Sequence, residues 1–163
     1  MQLTFRSAKL NDLDRIMEIE QSGFSPEEAA TRKAMKERIQ VIPDSFIVAT
    51  DPRSKLLGYV VGPVINERCL YDDLFKKTVL NPQTGGYQSI LSLAVAPEYY
   101  RHGIAGKLLK KLSEEAKGHK RKGITLTCLE ELIPFYEKNG YKIEGISSSQ
   151  HAGETWYDMI LDF

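Results

Sequence analysis

The stretch Arg101-His102-Gly103-Ile104-Ala105-Gly106-Lys107 sets two glycines and an alanine where the strand Ser89–Val95 passes through Pro97 into an amphipathic helix. The first turn of a helix presents N–H groups that have no partner within the helix, at the positive end of its dipole. Small residues there let an anion approach the backbone, so the chemistry this turn can do is to hold a phosphate. Lys107, Lys110 and Lys111 add positive charge nearby. Two common phosphate-binding patterns are excluded by spacing. A P-loop needs four residues between its glycines and a hydroxyl after the lysine, whereas Gly103 and Gly106 lie closer together and Leu108 follows Lys107. A dinucleotide fingerprint needs three glycines after the first strand of the domain, and this turn lies far along the chain. Taken alone, the turn fits a phosphate ligand or a glycine-softened connection that binds nothing.

Other reactive side chains are scattered. His102, His119 and His151 have no ligand spacing with one another or with Cys69 and Cys128, so no metal site is expected. The two cysteines are far apart and read as reduced thiols rather than a disulfide framework, and none of these residues forms a Cys/His pair suited to a covalent intermediate. Twenty-two basic and 22 acidic residues cancel, which leaves no global field toward nucleic acid or an anionic membrane. No apolar run is long enough to span a bilayer and the N-terminal segment lacks the core of a signal peptide. The expectation is a cytoplasmic protein of one domain over residues 1–163, with no nucleic-acid or membrane partner.

The elements that must carry the turn follow from periodicity. Leu3–Arg6 alternates as a strand, and Asn11 or Asp12 caps a helix with apolar positions Leu13, Ile16, Met17 and Ile19. Ser25-Pro26-Glu27-Glu28 reads as the start of a second helix that runs to about Ile39. Phe46–Ala49 and Leu56–Val61 form a hairpin across Asp51-Pro52-Arg53-Ser54. Asn66–Gly86 is a long connection with one short helix within Cys69–Thr78, and its length suggests a substrate lid. The strand Ser89–Val95, a helix Ile104–Lys117, a strand Ile124–Leu129, a short helix Leu132–Asn139 with Gly140 as its left-handed cap, and a hairpin of Tyr141–Ser148 with Thr155–Leu161 complete the chain. The order is that of an α/β domain with a mixed central β-sheet flanked by about four helices.

The run Val95-Ala96-Pro97-Glu98-Tyr99-Tyr100-Arg101-His102-Gly103-Ile104-Ala105-Gly106-Lys107-Leu108-Leu109 resembles the acetyl-coenzyme A motif of the GNAT acyltransferase superfamily. Pro134-Phe135-Tyr136-Glu137-Lys138-Asn139-Gly140-Tyr141 resembles that family's second conserved segment, at the expected distance. Within the superfamily, Ile19–Phe24, Leu93-Ala94-Val95 and Leu132–Glu137 look most like arylalkylamine N-acetyltransferases. The resemblance implies the GNAT N-acyltransferase fold and acetyl-coenzyme A as cosubstrate. It implies a cofactor site made of Leu93, Ala94, Val95, Arg101, His102, Gly103, Ile104, Ala105, Gly106, Lys107, Tyr136 and Lys138. One departure stands at Tyr100, where the family usually carries Arg or Gln, with Arg101 shifted by one.

Acyl transfer from a thioester requires a neutral amine, a stabilised oxyanion and a proton or hydrogen bond for the leaving thiolate. The resemblance assigns the leaving-group role to Tyr136, whose pKa near 10 against a thiol near 8.5 makes full proton transfer uphill by about 2 kcal/mol. It assigns the oxyanion donor to the Leu93 backbone N–H, with Val95 pairing along the pantetheine arm. Arylalkylamine enzymes relay the amine proton through two strand histidines; the matching positions are Ser89 and Leu91, of which Ser89 can order a water. Glu27, Glu28 and Glu130 are the carboxylates considered as a base. Phe24, Tyr71, Phe75 and Trp156 are candidate walls of the acceptor site, with Asp72 and Asp73 placed to attract an ammonium. The expected reaction is acetylation of a small arylalkylamine-like or polyamine-like amine by direct attack. A protein lysine or N-terminal amine acetyltransferase, or a non-catalytic acyl-coenzyme A sensor, are the alternatives, and a homodimer is possible through an edge strand.

Overall fold

The computed structural model describes residues 2–149 and 151–163, with the side chain of His151 outside the described set. In chain order the elements are β1 (Thr4–Ser7), α1 (Leu13–Gly23), α2 (Arg32–Val41), β2 (Phe46–Thr50), β3 (Leu56–Val61), β4 (Val64–Ile65) and β5 (Tyr87–Ile90). There follow β6 (Ser92–Val95), α3 (Ile104–Gly118), β7 (Gly123–Cys128), α4 (Ile133–Lys138), β8 (Lys142–Ile146) and β9 (Tyr157–Asp162).

Helix α3 turns Ile104, Leu108, Leu109, Leu112 and Ala116 inward at helical spacing. They pack on Ile47, Ala49, Leu57 and Val60 from one set of strands and on Ile124 and Leu126 from the other. On the opposite face α1 and α2 bury Leu13, Ile16, Met17, Ile19, Met35 and Ile39 against Phe46, Val48, Tyr59 and Val61. Each fully buried aliphatic side chain contributes about 1.5–3 kcal/mol, so these two layers hold the helices on the strands without help from local propensity.

The expected single central sheet is two hydrogen-bonded sheets. One has the order β1-β2-β3-β6 and the other β4-β5-β7-β9-β8. The division falls at Leu91, within what the sequence presents as one strand. Before it, β5 pairs in parallel with β7, Ser89 facing Thr125 and Ile90 facing Leu126. After it, β6 pairs among the described residues only with β3, Leu93 facing Val60 and Val95 facing Gly58. Beyond Leu91 the β6 edge that would have continued toward β7 is therefore free. A bulge in β3 at Leu57, between the pairs Ala49–Gly58 and Thr50–Leu56, lets the Leu57 carbonyl accept the Ala96 N–H at 2.8 Å and holds the far end of β6.

Two helix starts differ from expectation. Asp12 does not cap α1: its carboxylate accepts the Lys9 N–H at 2.8 Å and a two-pronged pair from Arg6 at 2.8 and 2.9 Å, closing a 3-10 turn ahead of the helix. Ser25-Pro26-Glu27-Glu28 makes one turn, in which the Ser25 carbonyl accepts the Glu28 and Ala29 N–H groups, and then stops. The next N–H, that of Ala30, goes instead to the Glu20 carboxylate at 2.8 Å, and α2 begins at Arg32 with the Thr31 hydroxyl accepting the Ala34 N–H. The short helix expected within Cys69–Thr78 is a 3-10 turn over Asp72–Phe75. The hairpin turn, the α3 limits and the left-handed Gly140, at φ 95°, stand where the sequence puts them.

Candidate active site

Arg101 and Gly103 are both left-handed, at φ 67° and 73°, and this reversal sends the chain from the β6 end directly into α3. The first α3 hydrogen bond runs from Lys107 N–H to the Gly103 carbonyl at 3.2 Å. The N–H groups of Ile104, Ala105 and Gly106 precede it and belong to the unpaired first turn. They open on a cavity of about 640 Å³ lined by this turn, the β6 residues Leu93, Ala94 and Val95, and the α4 residues Phe135, Tyr136 and Lys138. The free edge of β6 forms one wall of that cavity, so its backbone groups face space large enough for a chain of atoms.

A second cavity, of about 340 Å³, lies on the other side of the strand division. It shares Gly23, Phe24, Leu93, Leu132 and Tyr136 with the first, and those residues form the junction between them. Phe24, Phe75 and Trp156 give it apolar walls, and Glu20, Glu28 and Glu131 line it without any lysine or arginine. The larger cavity has the reverse character, with Arg101 and Lys138 and no acid.

Tyr136 stands at the junction, on the short helix α4, packed edge-on against Phe135 and Tyr141 at ring separations of 5.1 and 5.6 Å. Burial, with a smaller contribution from Cys128, holds its phenol well above the usual value, so it keeps its proton throughout the neutral range. Cys128 also lines the smaller cavity, where burial and Glu131 push its thiol up to about 11. A thiol held that high is a poor nucleophile near neutral pH.

Most residues expected to form the site come together here. Leu93, Ala94, Val95, Arg101, Gly103, Ile104, Ala105, Gly106, Tyr136 and Lys138 all line the larger cavity, whereas His102 and Lys107 do not. Phe24 and Trp156 line the smaller one. Tyr71 lies elsewhere, in a depression formed with Pro63–Glu67 and Leu80–Pro82. Ser89 is corrected as a water-ordering group: it is fully buried, donates its hydroxyl to the Pro63 carbonyl at 2.5 Å and lines neither cavity. Of the carboxylates weighed as a base, Glu28 lines the smaller cavity, Glu27 only an adjoining one, and Glu130 neither. Asp72 belongs to the adjoining cavity and accepts the Ser149 hydroxyl at 2.6 Å, while Asp73 lines none of these spaces. The sequence did not single out Glu131, Glu20 or Ser92, all of which line the smaller cavity, the last two hydrogen-bonded to each other at 3.3 Å. The signal for Glu20 was present, since it continues the apolar stripe Leu13-Ile16-Met17 of α1 with a charged residue.

A split strand whose free edge opens beside an unpaired helix start leaves a slot between two sheets suited to an extended, anionic ligand. A family model described as an acetyltransferase (GNAT) domain matches residues 43–143, and the chain belongs to that family. Solved structures resemble it along nearly the whole length. Ard1 from Thermoplasma volcanium superposes with a TM-score of 0.78 at 19% identity, covering 99% of this chain and 98% of that one. The GphF GNAT-like decarboxylase, in complex with isobutyryl-CoA, gives 0.82 at 17% identity, covering 98% of each chain. The NatC complex bound to Gag peptide and CoA gives 0.76 at 19% identity, covering 100% of this chain and 99% of that one. At these identities the likeness is one of fold. Among the described residues no helix is long and apolar enough to cross a membrane, and no group of His, Cys, Asp or Glu could hold a metal ion.

Proposed function

We propose that the protein transfers an acetyl group from acetyl-coenzyme A to a primary amine by direct attack, the amine being a small cation with an apolar or aromatic body. The observation that carries this reading is the pair of cavities meeting at Leu93 and Tyr136, one lined by cations beside a helix start and the other by acids and aromatics. In the larger cavity the pyrophosphate takes the N–H groups of the Arg101–Gly106 turn, and the pantetheine arm follows the free edge of β6 past Val95. The thioester then lies at Leu93, whose N–H stabilises the oxyanion, and its sulfur lies near Tyr136. Because burial raises the Tyr136 phenol further above a thiol, it serves as a hydrogen-bond donor to the departing sulfur rather than as a full acid.

The acceptor enters the smaller cavity. Glu28 and Glu131 favour an ammonium, and Phe24, Phe75 and Trp156 favour an apolar body. NatC bound to Gag peptide is an example of this fold holding a peptide, so a protein N-terminus is the second reading. A volume of about 340 Å³ suits a small amine, or the first residues of a peptide, better than a folded surface. The finer likeness to arylalkylamine enzymes rests on the three short segments noted in the sequence. The test is calorimetry with acetyl-coenzyme A, followed by thiol release across aryl amines, alkylamines, polyamines and peptides. Absence of cosubstrate binding overturns the reading, and binding without acetylation of any amine makes the protein a sensor.

A further inference from the structure

Glu20 lies in the last turn of α1 on its buried face, only 1% exposed, yet it lines the smaller cavity and an adjoining one of about 420 Å³. Both carboxylate oxygens are engaged. Oε1 accepts the Tyr59 hydroxyl at 2.5 Å, and Oε2 accepts the Ala30 N–H at 2.8 Å and the Ser92 hydroxyl at 3.3 Å. The other charged groups around the adjoining cavity are Arg38 of α2, Glu27 and Glu28 of the Ser25 turn, and Asp72 and Lys76 of the 3-10 turn. Arg38 acts on Glu20 as a charge, because its Nη atoms reach the Met35 sulfur and the Phe75 carbonyl while its Nε has no partner among the described residues. An ionised carboxylate this deep is costly to bury, and a structural role alone does not require it to face a cavity.

Ser92 connects this carboxylate to the reaction. It immediately precedes Leu93 in β6, and both residues line the smaller cavity. We infer that Glu20 is the proton acceptor of the transfer, with the Ser92 hydroxyl as the relay between it and the acceptor amine. The inference rests on the acyl-transfer reading above. The acceptor's ammonium gives a proton to Ser92 Oγ as the Ser92 hydroxyl proton passes to Glu20 Oε2. The lone pair freed on nitrogen attacks the thioester carbon, and the carbonyl electrons move to the oxygen beside the Leu93 N–H. On collapse the carbon–sulfur bond breaks with its electrons on sulfur, and the thiolate takes the second proton from the adduct's nitrogen. Glu20 then returns the first proton to solvent. Burial pushes the Glu20 carboxyl up against the Ala30, Tyr59, Arg38 and Ser92 influences that lower it, and a base nearer neutrality is better matched to this task.

Glu20→Gln in the full chain tests the assignment with two acceptors of similar shape, 2-phenylethylamine, which is an ammonium at neutral pH, and aniline, which is already neutral. The expected result is a loss of about 100-fold or more in kcat/KM at pH 7 for 2-phenylethylamine. Its acidic limb in the pH profile disappears, and the loss with aniline stays under about tenfold. Equal losses with both amines and an unchanged pH profile would overturn the assignment, because a purely structural carboxylate cannot tell the amines apart. Acetyl-coenzyme A binding is measured in parallel. Failure of the wild type to bind it sinks the acyl-transfer reading, whereas intact binding with equal losses sinks only the role of Glu20. Should Glu20→Gln fail to fold, Glu20→Asp and Ser92→Ala are compared in the same way: a loss confined to 2-phenylethylamine in a folded variant supports the relay, and equal losses with both amines refute it. If neither amine is acetylated, the best alkylamine and best aryl amine of the wider panel take their places.

Discussion

Tyr136 and Asp12 show how differently burial acts on single side chains. Burial keeps the Tyr136 phenol protonated at the junction of the two cavities, where the proposed reaction puts the departing sulfur. Tyr136→Phe keeps the ring and its contacts with Phe135 and Tyr141 but deletes the donor. A hydrogen bond to a developing charge is worth about 1.5–3 kcal/mol, so turnover should fall roughly 10- to 100-fold with little change in acetyl-coenzyme A affinity. Thiol-release kinetics beside calorimetry measure the two quantities, and an unchanged rate removes Tyr136 from the chemistry. At Asp12 burial also raises the carboxyl, but the Arg6 hydrogen bonds, the Lys9 N–H and the Arg6 charge outweigh it and hold it below the ordinary value. A carboxyl lowered in the folded state contributes stability above its unfolded pKa and loses it as pH falls through the folded one. Asp12→Asn should therefore cost about 1–3 kcal/mol at pH 7, and the gap to wild type should narrow as pH falls through and below the ordinary carboxylate range. Denaturant melts across that range decide it.

At the scale of elements, the strand division at Leu91 depends on a close approach of two backbones. A Cβ built on Gly62 would lie 2.1 Å from the Ser89 carbonyl oxygen and 2.5 Å from its carbon. The Ser89 N–H and hydroxyl both bind the Pro63 carbonyl, and the Leu91 N–H binds the Val61 carbonyl, so neither chain can retreat. Gly62→Ala should cost more than about 3 kcal/mol or prevent folding, and any folded fraction should bind acetyl-coenzyme A poorly. A melt within about 1 kcal/mol of wild type would show that the approach is not needed. The amphipathic helix α3, the hairpin of β2 and β3, and the cap at Gly140 were legible because each is fixed by periodicity or turn chemistry within a few residues. The division of Ser89–Val95 was not, because its cause lies in Val61–Pro63, far away in sequence. The donor side of the site was legible for the same local reason, as a small-residue helix start. On the acceptor side, Ser89 matched a family position but is spent on Pro63, and Tyr71 fell on the far side of its loop. Glu20 depends on which helix face meets which cavity, and only the packing of α1 on β3 and β6 fixes that.

Across the whole molecule, equal numbers of opposite charges conceal a separation: cations line the larger cavity and acids the smaller. An anionic cosubstrate and a cationic acceptor would thus be drawn to different mouths of one channel, meeting at Leu93 and Tyr136. The larger cavity is walled by β6 of the first sheet, by α3, which packs on both sheets, and by α4, which leads into β8 of the second. A ligand filling it would add a further tie between parts of the molecule already joined by the β3–β4 and β5–β6 connections, by the Ser89–Pro63 and Leu91–Val61 hydrogen bonds and by α3. Acetyl-coenzyme A at a hundredfold excess over its dissociation constant should add about 2.7 kcal/mol of stability. For a chain of this length that corresponds to a rise in melting temperature of roughly 5–10 °C. Hydrogen exchange locates the gain, with slowed amides expected together in Leu93–Val95, Ile104–Lys107 and Ile133–Lys138. Protection confined to the α3 start would mean that only a phosphate group is held and that the β6 edge stays open. Protection in all three segments would mean that the cosubstrate spans the division, as acyl delivery to the smaller cavity requires.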